Sequence, residues 1–231
     1  MSKPVKILQL VLVAAVIAAA INFFRTMHER RAGLAAPKRN EVALDPDYYV
    51  TPRKLHPQDL KDARELTQQP VWIREGYRFT YYPYPGHTDF QHPAGTLGPI
   101  EKLELVDIVV DRPSPLHEKQ VMAVFEKEEK RYAFPIGGGE GNNYRFFSDE
   151  MLFVQDPHQL YAHWPADVWK AIDKHQLEPG MNELQASFAI GMGSPEGTGE
   201  ANPRIVDYPN NGHPLRVTYT NGRITDIQSG A

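Results

Sequence analysis

An uninterrupted apolar stretch at residues 7–24 is the feature that most restricts how this chain folds. Its eighteen residues, ILQLVLVAAVIAAAINFF, contain only two polar side chains, Gln9 and Asn22. An α-helix of this length extends about 27 Å, which is enough to cross a thin hydrocarbon core. We therefore predict that residues 1–31 form a membrane anchor, a single transmembrane helix that contacts the lipid bilayer through residues 7–24.

A cleavable signal peptide is the alternative for the same segment. Lys3 and Lys6 would be its charged start. Ala19 and Ala20 would supply the small residues of a cleavage site. The basic stretch that follows at 25–39 counts against export and cleavage, so the uncleaved anchor is favoured. By the positive-inside rule alone this flank places the C-terminal part in the cytoplasm. Because the upstream tail is very short, the rule is weak here; the extracytoplasmic (periplasmic) side is predicted for the soluble part, and the cytoplasmic side is left open.

Charge and cysteine content exclude several classes of function. Of the 25 Lys and Arg and 29 Asp and Glu residues, seven basic and two acidic ones lie in residues 1–41, which leaves 18 basic and 27 acidic residues in the remainder. An acidic surface repels phosphates, so no nucleic-acid partner is predicted. The chain has no cysteine, which excludes disulfides, thiolate catalysis and cysteine-ligated metals.

Residues 32–70 are predicted to be a linker with one short helix, and residues 71–154 a small all-β domain. The helix is predicted from HPQDLKDARELTQQ, with Pro57 near its first turn and Pro70 after its end. The apolar run LELVDIVV at 103–110 predicts a buried strand. Three further stretches carry strand or hairpin signals: VWIREGYRFTYYPY, VMAVFEKEEKRYAFPI at 121–136 with EKEEK as its turn, and NNYRFF. This density of short strands favours an SH3-like β-barrel, with a compact sandwich as the alternative.

Residues 155–231 predict two helices followed by three strands, an ααβββ module, which makes the whole chain α+β. The first helix, at 164–176, places five side chains on one face: Trp164, Val168, Ala171, Ile172 and His175. Gly180 lets the chain turn, and Asn182 caps the second helix with Gln185 in a capping-box position. Gly191 ends that helix in the left-handed conformation. The predicted packing residues are Trp164, Trp169, Leu184, Phe188 and Tyr219.

A hairpin closes the chain. LRVTYTNGRITDIQ carries Asn221-Gly222, a type I′ turn signal that places Tyr219 opposite Ile224. An aromatic strand, RIVDYP, precedes it. These residues, with the Gly180-Met181 pair, the helix containing Gln185, and Pro195 soon after the helix end, resemble the BamE (SmpA/OmlA) family.

The resemblance covers about 60 of the 231 residues. It implies a small, non-catalytic, protein-binding module of the bacterial envelope, and it transfers no catalytic residue. Members of that family are lipoproteins anchored by a modified cysteine, which this chain lacks. The spacing between the helix and the first strand is also longer here. The fold is therefore expected to carry over more readily than the role in outer-membrane protein assembly.

Two clusters of residues raise the question of chemistry. His87, Asp89 and His92 in GHTDFQH lie close enough in sequence for a metal site, but their spacing matches no closed zinc pattern and the loop is rich in Gly and Pro. No metal is therefore predicted, and a metal-dependent binder or enzyme stays an alternative. GGGEG at 137–141 leads into Asn-Asn-Tyr rather than a helix, so it predicts a flexible loop and not a phosphate loop.

Other histidines and the tyrosines predict packing or contact roles. His158 and His163 are expected to hydrogen-bond an aromatic corner. The aromatic side chains between residues 77 and 90 should alternate between the core and a surface, and the surface set either forms a patch for a protein partner or is covered by loops. These aromatic residues are Tyr77, Phe79, Tyr81, Tyr82, Tyr84 and Phe90.

The sequence therefore predicts a non-catalytic accessory or scaffold protein without a cofactor. Its expected partners are other membrane or envelope proteins, which it would help to assemble or stabilise through protein contacts. The first alternative is a cytoplasm-facing peripheral subunit of a larger integral, energy-converting complex. The second is the metal-dependent binder or enzyme that uses His87, Asp89 and His92.

Overall fold

The structure, a computed structural model, describes two compact units, one ending at Asp45 and one running from Pro46 to Ala231. All strands of the described part of the chain belong to the second unit. The residues described are 17–27, 45–114, 117–141, 143–197 and 201–230.

The first unit contributes helix α1, residues 17–27. Among the described residues, none of the helices combines the length and the apolar character that a membrane crossing requires. The predicted transmembrane helix is therefore wrong for the described residues, and residues 7–16 of it lie outside them.

Helices are short in the second unit, and only α5 and α6 reach eight residues within its described part. The α-helices are α2 (Leu60–Ala63), α3 (Ser148–Met151), α4 (Pro157–Leu160), α5 (Ala166–Asp173) and α6 (Glu183–Ile190). The 3₁₀ turns are Pro46–Tyr49, Arg64–Gln68 and Asn210–Gly212.

Strands carry most of the fold. Those of the described residues are β1 (Val71–Ile73), β2 (Phe79–Pro83), β3 (Gly95–Leu97), β4 (Lys102–Leu103), β5 (Leu105–Asp111), β6 (Lys119–Lys127), β7 (Lys130–Glu140), β8 (Asn143–Phe146), β9 (Leu152–Phe153), β10 (Ser194–Pro195), β11 (Arg204–Tyr208), β12 (Leu215–Thr220) and β13 (Arg223–Ser229).

Three antiparallel sheets organise these strands. The smallest has the order β4-β1-β9, and the C-terminal sheet has the order β10-β11-β12-β13. The largest has the order β3-β2-β7-β6-β5. Two strands share one side of β7: β2 pairs with its first part, and β8 pairs with its second part.

The SH3-like β-barrel predicted for residues 71–154 is wrong, because these sheets stay open. Closure of the largest sheet would require β5 to pair with β3, which has only three residues. Instead the 3₁₀ turn Arg64–Gln68 packs along β5, and the Arg64 guanidinium donates to the carbonyl oxygen of Ile108 at 3.5 Å. A segment predicted as linker thus covers an edge that would otherwise offer unpaired backbone groups.

The apolar run at 103–110, which predicts one buried strand, is divided between two sheets. Leu103 ends β4, and β5 begins at Leu105. A bulge follows at once at Val106, whose side chain is 43% exposed. The prediction of a continuous buried strand is therefore wrong, because the run leaves one sheet and becomes the edge of another.

The predicted hairpin over 121–136 is present as β6 and β7. Its tip is Glu128-Glu129, and the pair that flanks the tip is Lys127 with Lys130. The predicted helix before it in the chain is shorter than expected. Asp59 caps α2 by accepting from the backbone N–H groups of the first turn, and the chain then tightens into the 3₁₀ turn Arg64–Gln68.

Two large hydrophobic cores fill the second unit. The first takes side chains from the three-stranded and the largest sheet. The second takes them from α5, α6 and the C-terminal sheet. Strand β9 contributes to both, because Leu152 packs in the first core and Phe153 in the second. The predicted domain boundary between residues 154 and 155 lies just after this shared strand.

The C-terminal part departs from the predicted ααβββ order. Helices α5 and α6 are followed by a sheet of four strands rather than three. The additional strand, β10, pairs Ser194 with Asp207 and Pro195 with Val206. It was missed because a Gly/Pro/Ser segment has low β propensity, so its pairing depends on the partner strand. The predicted fold class is thus corrected to a mainly antiparallel-sheet protein with few helices.

Candidate functional site

The cap and turn residues around α6 define its position. The Asn182 side-chain oxygen accepts from the backbone N–H of Gln185 at 2.7 Å, and Gln185 Oε1 accepts from the backbone N–H of Asn182 at 2.9 Å. Gly180 has a φ of +89°. Gly191 ends the helix at φ +94° and ψ −176°. This is an extended conformation open essentially to glycine alone, rather than the predicted left-handed helical one.

The tip of the last hairpin is Asn221-Gly222. Their φ values of +51° and +74° are those of a type I′ turn. Tyr219 pairs with Ile224 across the hairpin, which is the predicted register. These residues shape the C-terminal sheet and offer no reactive group.

Four aromatic side chains from α5, α6 and the segment before α5 pack together, and we call them the aromatic corner: Tyr161, Trp164, Trp169 and Phe188. The ring centroids of Trp164 and Trp169 lie 5.2 Å apart, and those of Trp164 and Phe188 lie 4.9 Å apart. All four side chains are buried. Burial, followed by the charge of Glu75, raises the pKa of Tyr161 to about 12. The predicted packing roles of Trp164, Trp169 and Phe188 fit this arrangement.

The two remaining predicted packing residues belong to the same core. Leu184 is partly buried against it. The Tyr219 hydroxyl lies 2.7 Å from the Tyr208 hydroxyl, and both rings are buried. Burial raises the pKa of Tyr208 to about 12, and it also raises the pKa of Tyr219. Both phenols are therefore neutral at physiological pH.

A carboxylate that the sequence did not single out ties the start of the second unit to the aromatic corner. Asp47 Oδ1 lies 2.6 Å from Trp164 Nε1 and 2.6 Å from His163 Nε2. Its other oxygen accepts from the Asn182 side-chain amide at 3.1 Å. The Asp47 side chain is only 11% exposed. Because 116 residues separate Asp47 from His163, no local pattern points to this contact.

The two histidines make contacts other than the predicted hydrogen bonds to the aromatic corner. His163 bonds to the carboxylate beside the corner rather than to a ring. His158 stacks on Trp169, with centroids 4.1 Å apart and planes 25° apart. Its Nδ1 and Nε2 lie 3.2 Å from Asp156 and 3.1 Å from Asp173.

The loop with His87, Asp89 and His92 does not form a metal centre. His92 Nδ1 lies 2.9 Å from an Asp89 oxygen, and this hydrogen bond lowers the pKa of Asp89. His87 is exposed. Within the described ranges, no three His, Cys, Asp or Glu side chains are arranged to hold a metal ion. The alternative of a metal-dependent binder or enzyme at these residues therefore has no structural support.

The glycine cluster predicted as a flexible loop lies instead within β7. Gly137 and Gly139 pair with β8 through Phe146 and Tyr144. A Cβ at Gly139 would lie 2.0 Å from the carbonyl oxygen of Asn143, so only glycine allows this approach. The loop prediction is wrong because glycine marks both loops and close backbone contacts, and periodicity does not distinguish them.

Most of the aromatic side chains between residues 77 and 90 are covered on both faces of the largest sheet. Phe79 and Tyr81 pack against the first core. On the opposite face Met122, Val124 and Ala133 are covered by a second set of side chains, which includes Tyr82, Tyr84 and Phe90. Only Tyr77 of the six is exposed, at 39%.

Tyr77 belongs to a surface that we call the apolar face, formed by Tyr77, Phe147 and Met192. Phe147 is 44% and Met192 64% exposed. The Met192 backbone N–H donates to the carbonyl oxygen of Gly76 at 3.2 Å, which places Met192 beside Tyr77. The Tyr77 ring stacks on Phe79 with centroids 5.6 Å apart, and Phe79 and Phe147 line one cleft of about 550 Å³. Tyr77 is thus linked through Phe79 to the cleft that Phe147 lines, and Met192 lies next to Tyr77.

Comparison with known proteins adds no relative: no family model, curated protein or solved structure matches this chain.

Proposed function

We propose that this chain is a non-catalytic accessory protein that stabilises or helps assemble a membrane or envelope complex through protein contacts. The observation that carries the proposal is the apolar face. Aromatic and methionine side chains are enriched where proteins bind one another, and water-exposed groups of them mark interaction sites. Tyr77, Phe147 and Met192 have this composition and exposure.

The neighbouring cleft fits the same role. It lies between Phe79, Phe147 and Met151, so it offers apolar walls to a side chain from a partner. Binding energy in protein interfaces concentrates where an aromatic or aliphatic anchor enters such a depression. The resemblance of the C-terminal part to BamE-like modules supports a protein-binding role as well.

Association with a membrane is the finer part of the proposal. It is supported by the apolar sequence 7–24 and by the exposed side chains of α1. Ile17, Ile21, Phe23 and Phe24 are 54 to 73% exposed, which is costly in water and favourable against lipid or another protein. We propose that the second unit lies on the extracytoplasmic side.

The test compares two sets of variants of the full-length chain, purified in mild detergent after chemical cross-linking in cells. The first set changes the apolar face, Tyr77→Thr, Phe147→Ser and Met192→Ser. The matched control changes Tyr48→Ser and Tyr49→Ser, two tyrosines that are more exposed than Tyr77 and do not belong to the apolar face. We expect a stoichiometric partner that copurifies with the wild type and the control, and is lost from the apolar-face variant.

A partner retained equally by both variants would contradict the assigned surface. A chain that stays monomeric under cross-linking would contradict the accessory role itself. Fractionation of the same cells tests the membrane part, since a chain found wholly in the soluble fraction would be incompatible with it. Circular dichroism of each variant confirms that the fold is retained.

A further inference from the structure

The outer edge of β8 leads directly to Phe147 of the apolar face. Strand β8 pairs with β7 on one side, and within the described part of the chain no strand pairs with its other side. Elsewhere the chain covers its own sheet edges. The turn Arg64–Gln68 packs along β5, and Ile224 of β13 exchanges backbone hydrogen bonds of 2.8 and 2.9 Å with Met181 and Gly180. Among the described residues, β8 has no such backbone contact on its outer side.

One hydrogen bond fixes the direction of the backbone groups of β8. The Phe147 N–H donates to the carbonyl oxygen of Ile136 at 2.8 Å, so it points towards β7. Because these groups alternate along a strand, those of Arg145 also point towards β7, and the N–H and C=O groups of Tyr144 and Phe146 point outward. The edge thus offers four backbone groups, which is the pattern that an added strand satisfies.

Arg145 lies at the centre of this edge, and its side chain is exposed. It forms no ion pair with the residues that the structure describes. Glu140 and Glu118 lie on the same face by register, but on β7 and just before β6. A strand added about 4.8 Å outside β8 would be about 10 and about 14 Å from those two strands. Of these three charges, Arg145 is therefore the closest to a side chain that the added strand places opposite it.

The same arginine disfavours pairing with a second copy of this chain. Antiparallel pairing of two β8 strands that uses all four backbone groups sets Tyr144 opposite Phe146, and Arg145 opposite Arg145. Side chains in directly opposite positions are about 5 Å apart, and like charges there are destabilising. A carboxylate at that position forms an ion pair instead. A different chain therefore fits this edge better than a second copy.

Phe147 extends the face that carries Arg145. It lies two positions further along the chain, so alternation places both side chains on one face. Phe147 is 44% exposed and lines the cleft of about 550 Å³. In an antiparallel added strand, the residue beside Phe147 comes two positions before the residue opposite Arg145. An apolar side chain at the first position and a carboxylate at the second would match the edge.

We propose that the partner binds as an extended strand added antiparallel to β8, with a carboxylate opposite Arg145 and an apolar side chain beside Phe147. This inference rests on the proposed protein-binding function and specifies how the partner of the apolar face binds. Backbone hydrogen bonds supply the alignment, and the ion pair selects the sequence. The apolar side chain supplies buried area.

The first test measures binding of a fluorescent peptide, GSTFTETSG, to the full-length chain in detergent by anisotropy. In the proposed register its phenylalanine lies beside Phe147, its glutamate lies opposite Arg145, and the threonines on both sides of the glutamate bond to the edge. N-methylation of these two threonines removes both donors and should weaken binding by at least about tenfold. The matched control is N-methylation of the phenylalanine and the glutamate, whose N–H groups point away from β8, and it should weaken binding less than about threefold. Equal losses, or no binding of GSTFTETSG, would overturn the proposal.

A charge exchange assigns the site. The wild type should bind GSTFTETSG at least about threefold more tightly than GSTFTKTSG, and Arg145→Glu should reverse this preference. Lys130→Glu makes the same change of charge at an exposed lysine beside the tip of the β6–β7 hairpin and should keep the wild-type preference. An Arg145→Glu chain that still prefers the glutamate peptide would show that this edge is not the site. A wild-type dimer that the peptide dissociates, observed by sedimentation velocity, would assign the edge to a second copy and overturn the proposal.

The two proposals fail separately. Suppose that a partner copurifies and is lost from the apolar-face variant, while Arg145→Glu and N-methylation have no effect. Strand addition is then wrong and the accessory role stands. If the peptide results hold but the cross-linked chain stays monomeric in cells, the edge binds an extended chain and the accessory role is wrong.

Discussion

At the scale of single residues, Asp47 has the largest structural consequence of the polar side chains near the aromatic corner. One carboxylate accepts from an imidazole and an indole of the adjacent residues His163 and Trp164, and from the side-chain amide of Asn182 at the start of α6. Hydrogen bonds to a charged group contribute about 1.5–3 kcal/mol when they are shielded from water. Asp47 thus joins the first residues of the second unit to the N-terminus of α6.

We expect Asp47→Ala to lower the free energy of unfolding by about 2–3 kcal/mol, because it leaves the buried Trp164 N–H without its acceptor. Urea unfolding followed by tryptophan fluorescence measures this change. Glu104→Ala, which removes an exposed carboxylate, is the matched control and should shift the value by less than about 0.5 kcal/mol. Equal shifts for both variants would show that Asp47 does not hold the corner.

The residues that could be predicted from the sequence are those whose partners lie nearby in the chain. The capping box joins Asn182 to Gln185, three positions away, and the type I′ turn needs only Asn221-Gly222. Asp47 could not be found, because its partners are more than 100 residues away and nothing local distinguishes it from other exposed-looking carboxylates. The apolar face was foreseen only through Tyr77, since Phe147 and Met192 join it through tertiary contacts.

At the scale of elements, the β6–β7 hairpin combines a well-paired ladder with an unfavourable tip. Glu128 and Glu129 have φ values of +53° and +60°. For residues with a Cβ this left-handed conformation costs roughly 1–2 kcal/mol each. The long ladder on both sides, from Lys119 paired with Gly139 to Lys127 paired with Lys130, compensates for that cost.

Replacing the tip by Glu128→Asn and Glu129→Gly should therefore raise the free energy of unfolding by about 1–2 kcal/mol, since these residues adopt positive φ readily. The control Glu128→Gln with Glu129→Gln removes the same charges without relieving the backbone. It should leave stability nearly unchanged. Chemical denaturation of both variants at moderate salt decides the matter, and a gain of the same size in the control would assign the effect to charge instead.

The prediction of individual strands and loops failed where contacts with other segments, rather than the local sequence pattern, determined the structure. Residues 103–110 form a nearly continuous apolar run, yet the run divides between β4 and the edge strand β5, whose free side is covered by the turn Arg64–Gln68. Gly137 and Gly139 had the composition of a loop, yet β8 lies against them. The first contact joins segments 44 residues apart, and the second is a local hairpin whose glycines lie in a strand; the periodicity of apolar residues carries no information about either contact.

At the scale of the whole molecule, the second core is distinguished by buried phenols. Tyr161, Tyr208 and Tyr219 are each at most 5% exposed, and burial raises the pKa of all three. For Tyr161 and Tyr208 the value is about 12, against about 10 in an unfolded chain. The folded state thus keeps protons that the unfolded state releases.

The sign of the resulting pH dependence follows from linkage. A raised pKa contributes stability that is fully present below pH 10 and is lost as pH rises towards 12, because only the unfolded chain ionises its tyrosines in that window. Each such tyrosine contributes a slope of about 1.4 kcal/mol per pH unit. We therefore expect tyrosine ionisation to leave the free energy of unfolding unchanged from pH 7 to about 9.5 and to lower it steeply between pH 10 and 12.

Tyr208→Phe separates this effect from general alkaline unfolding. At pH 7 the variant should lose about 1 kcal/mol, because the hydrogen bond to the Tyr219 hydroxyl is removed. Between pH 10 and 12 its stability should fall less steeply than that of the wild type, so the difference in stability between the two proteins narrows or reverses as pH rises.

Tyr48→Phe, at a tyrosine 79% exposed, is the control and should leave the slope of stability against pH unchanged. Urea unfolding at a series of pH values measures these slopes. Equal slopes for all three proteins would mean that alkaline unfolding begins elsewhere, in the deprotonation of lysines and the loss of their ion pairs, rather than in the core that α5, α6 and the C-terminal sheet enclose.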